Sequence, residues 1–331
     1  MRPQYTLALP GQGVVRSTLL SPYKKYRSLY KPLLQEIDSA LNEPISIHLE
    51  AENGASEWLQ HTSNAQPAIL ATSYIIHHIL KHEHGIDLAG NALYLMGHSL
   101  GEYTALVLSG VFDLASGVQI VRKRGQLMED VVESASGAAG ASGNETKPGY
   151  SMLALLFASS HKLLPVRARA IEQGLLANDN SSTQLVISGE TGAVDKFIES
   201  ANSASRIISR ATRLPVSIPF HNRILAQIEP ALANYINTFK HSEPAVPIVS
   251  NLTGKPVLDA ASAIANVVLQ THSTVQWAQS VDFVHQQGVD QMVCLGPGKV
   301  LEGLLRRSSI LGIAVDTPDT FGGLSEFFNQ L

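Results

Sequence analysis

A serine flanked by two glycines carries the strongest chemical signal in this sequence. Residues 97–101 read Gly-His-Ser-Leu-Gly, with the apolar run Leu93–Met96 before them and a helical pattern after them. A G-x-S-x-G between a strand and a helix is typical of a nucleophile elbow, whose sharp turn exposes the serine hydroxyl. The spacing predicts Ser99 as a nucleophile, with the backbone N–H of Leu100 facing a developing oxyanion. A purely structural turn is the alternative, and we expect the adjacent His98 to support the turn rather than act as a base.

A second glycine-rich turn, Pro10–Gly13, follows the apolar run Tyr5–Leu9. Its glycines let the backbone pass close to a neighbouring group, and sites in α/β proteins assemble at this end of a strand. The backbone N–H of Gln12 is therefore a candidate second oxyanion donor. An ordinary strand-to-helix turn explains the pattern equally well, and a phosphate loop does not, because no Lys-Ser/Thr pair follows.

Arg124 stands at an unusual place for a charged side chain. At about 100° per residue, the apolar residues of the helical segment Leu114–Val132 occupy one half of the wheel, and Arg124 falls near its middle. A guanidinium directed into an apolar interior is costly unless it is paired. The pattern therefore predicts a partner elsewhere, either a structural Asp or Glu or a substrate carboxylate, which a planar guanidinium binds with two hydrogen bonds.

His221 is the candidate general base. It follows the apolar stretch Val216–Ile218, which we expect to form a strand, and a turn at Pro219. A histidine at the end of a strand can take the proton of a nucleophile. The local pattern also fits a surface or capping histidine.

Short apolar runs alternate with helical stretches along the 331 residues. This rhythm predicts an α/β protein with a mainly parallel sheet, and the length favours a large domain with a smaller one attached or inserted. The segment Ser134–Gly149 is rich in Gly, Ser and Ala. We expect it to be a surface loop or tether that leads to a small βαβ-type unit ending near Leu214.

Composition excludes several classes of protein. Apolar residues make up 44% of the chain and the net charge is -4, without a basic stripe that would indicate nucleic-acid binding. No run of about 18 apolar residues is present to span a membrane. The lone Cys294 favours a reducing compartment. Four histidines lie close together in sequence, at positions His77, His78, His82 and His84. A metal site there is conceivable, but a polar helix end explains them better because no cysteine or carboxylate pair completes a ligand set.

Seven motifs occur in one order along the chain. They are Pro10–Gly13, Ala65–Ala68, Gly97–Tyr103, Arg124–Gly125, Val216–His221, Val275–Trp277 and Leu295–Leu301. Together they resemble the malonyl-CoA:acyl carrier protein transacylases of fatty acid synthesis and the acyltransferase domains of polyketide synthases. The resemblance implies an α/β-hydrolase-like large domain with a parallel sheet, formed by residues 1–148 and 215–331. A small ferredoxin-like subdomain, residues 149–214, would be inserted over the active site.

The resemblance also implies roles for particular residues. Ser99 would be the nucleophile and His221 its base. The backbone N–H groups of Gln12 and Leu100 would form the oxyanion hole, and Arg124 would bind the malonyl carboxylate. Counting back from Val275–Trp277 places the carbonyl that orients the histidine on Gln270.

The implied enzyme is an acyl-carrier-protein S-malonyltransferase. It would move malonyl from malonyl-CoA to the phosphopantetheine thiol of holo acyl carrier protein through an ester on Ser99, with no metal and no cofactor. We expect a monomer that binds neither nucleic acid nor membrane. A serine esterase or thioesterase is the alternative; such hydrolases carry their histidine near the C terminus, where His272 and His285 are the candidates.

Phe220 departs from the bacterial pattern, which usually has serine before the catalytic histidine. A phenylalanine there resembles mitochondrial and malonyl-selective members, and it would narrow the space beside the substrate α-carbon. Together with the long loop at 134–149, it favours a fungal enzyme of the mitochondrial matrix, with the cytoplasm as the alternative.

Overall fold

A computed structural model describes residues 4–13, 18–52, 57–138, 149–203 and 206–329. The strands are β1 Tyr5–Leu9, β2 Tyr94–Gly97, β3 Tyr150–Leu156, β4 Leu176–Ser181, β5 Gln184–Glu190, β6 Arg210–Arg213, β7 Ile248–Val249, β8 Pro256–Val257, β9 Gln291–Leu295 and β10 Leu311–Val315. The helices are α1 Arg27–Leu41, α2 Ser46–Leu49, α3 Thr62–Glu83, α4 Leu100–Leu108, α5 Leu114–Ala138, α6 Ser160–Glu172, α7 Thr191–Ala201, α8 Glu229–Ile236, α9 Ala260–Leu269, α10 Trp277–Gln286, α11 Val300–Leu305 and α12 Phe321–Asn329. Short 3₁₀ segments are Ser21–Tyr26, Trp58–Gln60, Arg223–Ile228, Gln270–His272 and Pro318–Thr320.

The larger sheet has the strand order β10-β9-β1-β2-β7-β8. Its pairings are parallel except for the edge pair β7 and β8, which is antiparallel. Leu7 and Leu95 belong to the apolar core on one face, whereas Ala8, Met96 and Cys294 belong to the core on the other. Because both faces are covered, the central strands are mainly apolar rather than alternating. The predicted α/β class with a mainly parallel sheet is confirmed.

The smaller sheet is antiparallel and has the order β4-β5-β3-β6. Helices α6 and α7 supply its core, where Leu163 and Phe197 pack against Leu155. Backbone hydrogen bonds join this sheet to the rest of the chain: Val275 N donates to Ala177 O at 2.9 Å. The smaller sheet is therefore attached directly to the region that precedes α10.

One expected strand is not formed. The expected strand Val216–Ile218 is an irregular segment, and Arg210–Arg213 pairs with β3 instead. Pro215 and Pro219 fix the backbone on both sides of this segment, and Phe220 N donates locally to Ile218 O at 3.0 Å instead of joining a sheet.

The loop expected over Ser134–Gly149 begins later than the composition suggests. Helix α5 continues to Ala138, because alanine and glutamate near its end favour the helix. Residues 139–148 of the expected loop lie outside the described residues. Within the described ranges, none of the helices combines the length and apolarity needed to cross a bilayer.

The turn between β2 and α4 is possible only because glycines flank it. Ser99 lies in this turn with φ 54° and ψ -111°, a conformation that a non-glycine residue rarely adopts. A Cβ added to Gly97 would lie 1.9 Å from the carbonyl carbon of Gly101, and one added to Gly101 would lie 2.1 Å from Leu9 O. Both positions must be glycine for the strand, the turn and the helix to pack together.

We expect Gly101→Ala to lower the free energy of unfolding by about 3 kcal/mol, because the new methyl group overlaps the backbone of β1. Gly192→Ala in α7 is the matched control, since its Cβ would meet no atom within 4 Å. That variant should be unchanged or stabilised by up to about 1 kcal/mol. Chemical denaturation measures both; equal stability of the two variants would contradict the packing described for the elbow.

Candidate active site

Ser99 and His221 meet although 122 residues separate them in the sequence. His221 Nε2 lies 2.7 Å from Ser99 Oγ, which is hydrogen-bond distance for a nucleophile and its base. Both residues have positive φ, 54° for the serine and 57° for the histidine. Strained conformations of this kind persist only where the surroundings hold them, and they concentrate at functional sites.

A backbone carbonyl orients the imidazole. His221 Nδ1 lies 2.8 Å from the carbonyl oxygen of Gln270, in the 3₁₀ segment Gln270–His272. A carbonyl can only accept a hydrogen bond, so Nδ1 carries the proton and Nε2 is left to accept the hydroxyl proton of Ser99. The structure thus places the carbonyl of Gln270, the residue predicted for this position, against the imidazole of His221.

Burial makes His221 a neutral imidazole. Its side chain is almost completely enclosed, with 4% of the residue exposed. The pKa of His221 is lowered to about 3, chiefly by burial of the ring and further by the positive charge of Arg124. A neutral ring at physiological pH can take up the proton of Ser99, as a general base must.

A cavity of about 230 Å³ opens above this pair. Its lining includes the predicted site residues Gln12, Ser99, Leu100, Arg124, Phe220 and His221. Apolar side chains from the smaller sheet, including Met152 and Val186, cover one side of it, and Val300 and Leu304 of α11 line another part. The structure thus brings six of the seven predicted site residues to one cavity. The seventh, Gln270, does not line the cavity but contacts His221, which does.

Arg124 is a buried cation with unused hydrogen-bonding capacity. It is 1% exposed, and its Nη1 donates to Gln66 Oε1 at 3.0 Å. Within the described part of the chain, its Nε and Nη2 find no hydrogen-bond partner. Its guanidinium carbon lies 5.1 Å from the centre of the Tyr103 ring. A buried charge with two free donors beside a nucleophile is an arrangement that an anionic ligand would complete.

The two turns of the predicted oxyanion hole lie against each other. Leu100 is the first residue of α4, directly after the nucleophile, and the Pro10–Gly13 turn follows β1. A Cβ on Gly11 would lie 2.5 Å from His98 O, so this turn passes directly over the elbow. Gln12 Nε2 donates to Thr62 Oγ1 at 3.2 Å, which ties the turn to α3.

Sequence reasoning missed Asn251 and Glu102. Asn251 Oδ1 accepts a hydrogen bond from Ser99 N at 2.7 Å, and its Nδ2 donates to Gly97 O. Glu102 Oε2 accepts from Gln270 Nε2 at 3.0 Å. The available signals were weak: Asn251 follows a short strand at its carboxyl end, and Glu102 belongs to the motif around the serine.

The other histidines have different partners. His98 Nε2 lies 2.9 Å from Asn180 Oδ1 and its ring packs on Trp277, in keeping with a supporting role. His272 contacts Glu229 at 2.9 Å, and His285 lies 3.4 Å from Asp290. Both candidate bases of the esterase alternative are therefore engaged with carboxylates.

The histidines considered for a metal site have separate neighbours as well. His77 lies 3.2 Å from Asp87, and the ring centroids of His78 and His82 lie 4.2 Å apart with the rings tilted by 41°. Among the residues that the structure describes, no group of three or more His, Cys, Asp or Glu side chains is arranged to hold a metal ion.

Comparison with known proteins identifies the class. The model of the acyl transferase domain family matches residues 45–301. The chain therefore belongs to the acyl transferase domain family. It is 31% identical over 306 residues to the malonyl CoA-acyl carrier protein transacylase of Salmonella typhimurium, with 92% of each chain covered. It is 29% identical to the protein of that name from Escherichia coli K12, covering 98% of this chain and 99% of the relative.

Solved structures resemble the whole chain. The acyl-carrier-protein-S-malonyltransferase of Bartonella henselae superposes with a TM-score of 0.83 at 28% identity, covering 98% of this chain and 100% of the other. A malonyl-transacylase in complex with its holo type II PKS acyl-carrier protein superposes with a TM-score of 0.84 at 26% identity, covering 98% and 99%. The similarity extends over the fold described above.

The low pKa of His221 predicts how the reactivity of Ser99 depends on pH. Labelling of Ser99 by a neutral fluorophosphonate should keep most of its plateau rate down to pH 5, since His221 titrates well below its ordinary value of 6.5. His221→Ala should abolish labelling at every pH. A wild-type rate that is half-maximal at pH 6.5 or above would contradict the buried, neutral imidazole.

The same shift affects stability, so circular dichroism must accompany the labelling. The unfolded imidazole protonates near pH 6.5, whereas the folded one stays neutral. Unfolding therefore becomes easier as the pH falls from 6.5 towards 3, by at most about 1.4 kcal/mol per pH unit from this group. Labelling rates are compared only at pH values at which the circular dichroism spectrum is that of the folded protein.

Proposed function

We propose that this chain transfers malonyl groups from malonyl-CoA to holo acyl carrier protein and so supplies fatty acid synthesis. The observation that carries the proposal is the buried Arg124, whose free donors share a cavity with the Ser99–His221 pair. A serine nucleophile with a base explains acyl transfer, and a buried cation explains why the acyl group should carry a carboxylate. The names of the relatives support the same substrate and acceptor.

In the first half-reaction, Ser99 Oγ attacks the thioester carbonyl of malonyl-CoA while His221 Nε2 takes the hydroxyl proton. The tetrahedral oxyanion is bound by the backbone N–H groups of Gln12 and Leu100. A donor of this kind is typically worth about 2.7–4 kcal/mol. The C–S bond then breaks, the CoA sulfur receives the proton from His221, and a malonyl ester remains on Ser99.

In the second half-reaction, the phosphopantetheine thiol of the carrier gives its proton to His221 and attacks the ester carbonyl. The same oxyanion site stabilises the second tetrahedral intermediate. Ser99 Oγ leaves and recovers the proton from His221, so the enzyme returns to its first state and the kinetics are ping-pong. The apolar lining of the cavity disfavours water, which would otherwise hydrolyse the ester.

Acyl selectivity follows from charge and space. An acetyl group leaves the Nε and Nη2 of Arg124 unpaired, whereas a malonyl carboxylate can accept from both. Phe220 and Leu100 line the cavity near Ser99, and we propose that they leave little room for a substituent on the α-carbon. Methylmalonyl-CoA should therefore load more slowly than malonyl-CoA; equal loading rates would contradict this role.

For the architecture, we propose an α/β-hydrolase-like large domain, residues 1–148 and 215–331, with residues 149–214 inserted as a ferredoxin-like subdomain. The succession β3-α6-β4-β5-α7-β6 supports this, since it has the β-α-β-β-α-β order of that fold. A separately expressed segment 149–214 that lacks secondary structure would count against an autonomous subdomain.

The mouth of the cavity offers a surface for the carrier. Val300 and Leu304 line the cavity from α11, and the residues flanking that helix, Lys299, Arg306 and Arg307, are exposed and basic. We propose that an acidic carrier approaches across these side chains and passes its phosphopantetheine arm between α11 and the smaller sheet. Charge reversal of Arg306 and Arg307 should raise KM for the carrier and leave KM for malonyl-CoA unchanged.

We also propose a monomer located in the mitochondrial matrix. The location is supported by the phenylalanine at position 220 and by the length of segment 134–149. Light scattering that reports twice the mass of one chain would contradict the monomer. Fractionation of cells that places the protein in the cytoplasm would contradict the mitochondrial location.

The direct test of the proposed function is intact-protein mass spectrometry. After brief exposure to malonyl-CoA, the wild type should gain the mass of one malonyl group, and holo acyl carrier protein should then remove it. Ser99→Ala should gain nothing, because the ester cannot form. Rapid release of free malonate without any carrier would indicate a hydrolase instead.

We expect Arg124→Ala to lower the rate of malonyl loading by about 100-fold or more, because the substrate carboxylate loses its buried partner. Acetyl loading should be spared or raised. Arg122→Ala is the matched control: this arginine belongs to the same helix but pairs with Glu43, and it should change neither rate. Equal loss of malonyl and acetyl loading in Arg124→Ala would contradict a role in recognising the carboxylate.

A further inference from the structure

A buried carboxyl group lies beneath the active site and takes no part in the chemistry described above. Glu102 belongs to the first turn of α4, three residues after the nucleophile, and only 1% of it is exposed. Its Oε2 accepts two hydrogen bonds, from Asn251 N at 3.1 Å and from Gln270 Nε2 at 3.0 Å.

Both donors to Oε2 hold parts of the reacting pair. Gln270 presents the carbonyl that orients His221, and its Nε2 also donates to Ser99 O at 3.1 Å. Asn251 accepts from Ser99 N and donates to Gly97 O, on the two sides of the elbow. A single oxygen of Glu102 is therefore bonded to the residue that orients the base and to the residue that holds the nucleophile turn.

The residues joined in this way lie where regular elements end. Gln270 caps the C terminus of α9, where the helix passes into a 3₁₀ segment of three residues, and Asn251 comes two residues after the short strand β7. The backbone hydrogen bonds of a helix or strand give out at such ends, so side-chain partners contribute to holding them. The buried acceptor supplies an additional constraint, and losing it would leave Asn251 N without this partner and Gln270 Nε2 with only its bond to Ser99 O.

We propose that Glu102 is a positioning residue for acyl transfer, which acts by accepting hydrogen bonds from Gln270 and Asn251 through one oxygen and so aligns His221 with Ser99. The proposal rests on the Ser99–His221 pair of the proposed function. It does not depend on malonyl as the acyl group or on a carrier protein as the acceptor.

The role requires an acceptor oxygen and does not require a negative charge. Burial raises the pKa of Glu102 to about 8, opposed by the hydrogen bonds and by the nearby charge of Arg124. A protonated carboxyl group still has one oxygen free to accept both bonds. The carboxamide of a glutamine has the same shape and the same acceptor, so Glu102→Gln should preserve the alignment, whereas Glu102→Leu should not.

The test is the rate at which a neutral fluorophosphonate labels Ser99 in the full chain. We expect Glu102→Leu to be slower than the wild type by about 100-fold, the size of effect that a small misplacement of reacting groups can produce. Glu102→Gln should label at close to the wild-type rate. This rescue separates positioning from a general loss of structure.

Ser109→Ala is the matched control. Ser109 is equally buried and ends the same helix, where its hydroxyl donates to Val246 O at 2.7 Å and accepts from Val246 N at 3.1 Å. Its removal breaks a comparable pair of hydrogen bonds far along α4 from the nucleophile. We expect lower thermal stability with an unchanged labelling rate.

If Glu102→Leu does not fold, Gln270→Met tests the same link from the other side. Methionine keeps the backbone carbonyl and the length of the side chain but removes the Nε2 donor, which bonds both Glu102 Oε2 and Ser99 O. This variant should also label more slowly than the wild type by about 100-fold. A wild-type rate in either folded variant, or a Glu102→Gln rate as slow as that of Glu102→Leu, would overturn the proposal.

The same probe distinguishes this proposal from the proposed function. A wild type that labels normally but transfers no malonyl would contradict the function and leave the role of Glu102 to be decided by the variants. A wild type in which Ser99 does not label at all would overturn both.

Discussion

The hydrogen bond between His221 Nε2 and Ser99 Oγ is the contact on which the rest of the site depends. At 2.7 Å it joins two residues that both have positive φ, and neither conformation is stable by itself. The serine is held because β2 and α4 meet through glycines that admit no Cβ. The histidine is held by a backbone carbonyl, so the site needs no acidic residue in contact with the base.

Burial then gives His221 and Arg124 their chemical properties. The enclosure that keeps His221 neutral also removes water from Arg124, and the arginine lowers the pKa of the histidine further. Nε and Nη2 of this guanidinium have no hydrogen-bond partner among the residues that the structure describes, and we propose that it therefore favours acyl groups that carry a carboxylate. Reactivity and selectivity thus come from the same exclusion of solvent. The apolar residues of the smaller sheet, such as Met152 and Val186, contribute to that exclusion.

The sequence predicted those features that are encoded locally. The glycine spacing around Ser99 and the position of Arg124 on its helical wheel needed only nearby residues. The local pattern made His221 a candidate base, but its pairing with Ser99 required the family resemblance, because no local pattern links residues so far apart. The prediction of a strand at Val216–Ile218 was wrong because the flanking prolines fix the backbone there, although the segment is apolar. Glu102 and Asn251 were missed because their importance lies in tertiary hydrogen bonds, which a single sequence does not display.

The central claim is that nucleophile, base and guanidinium serve one acyl group in one cavity. A crystal structure of the protein after exposure to malonyl-CoA tests it most directly. We expect an ester on Ser99 Oγ, its carbonyl oxygen facing the N–H groups of Gln12 and Leu100, and its carboxylate bonded to Nε and Nη2 of Arg124. A malonyl group attached elsewhere, or one whose carboxylate points away from Arg124 into solvent, would contradict the claim.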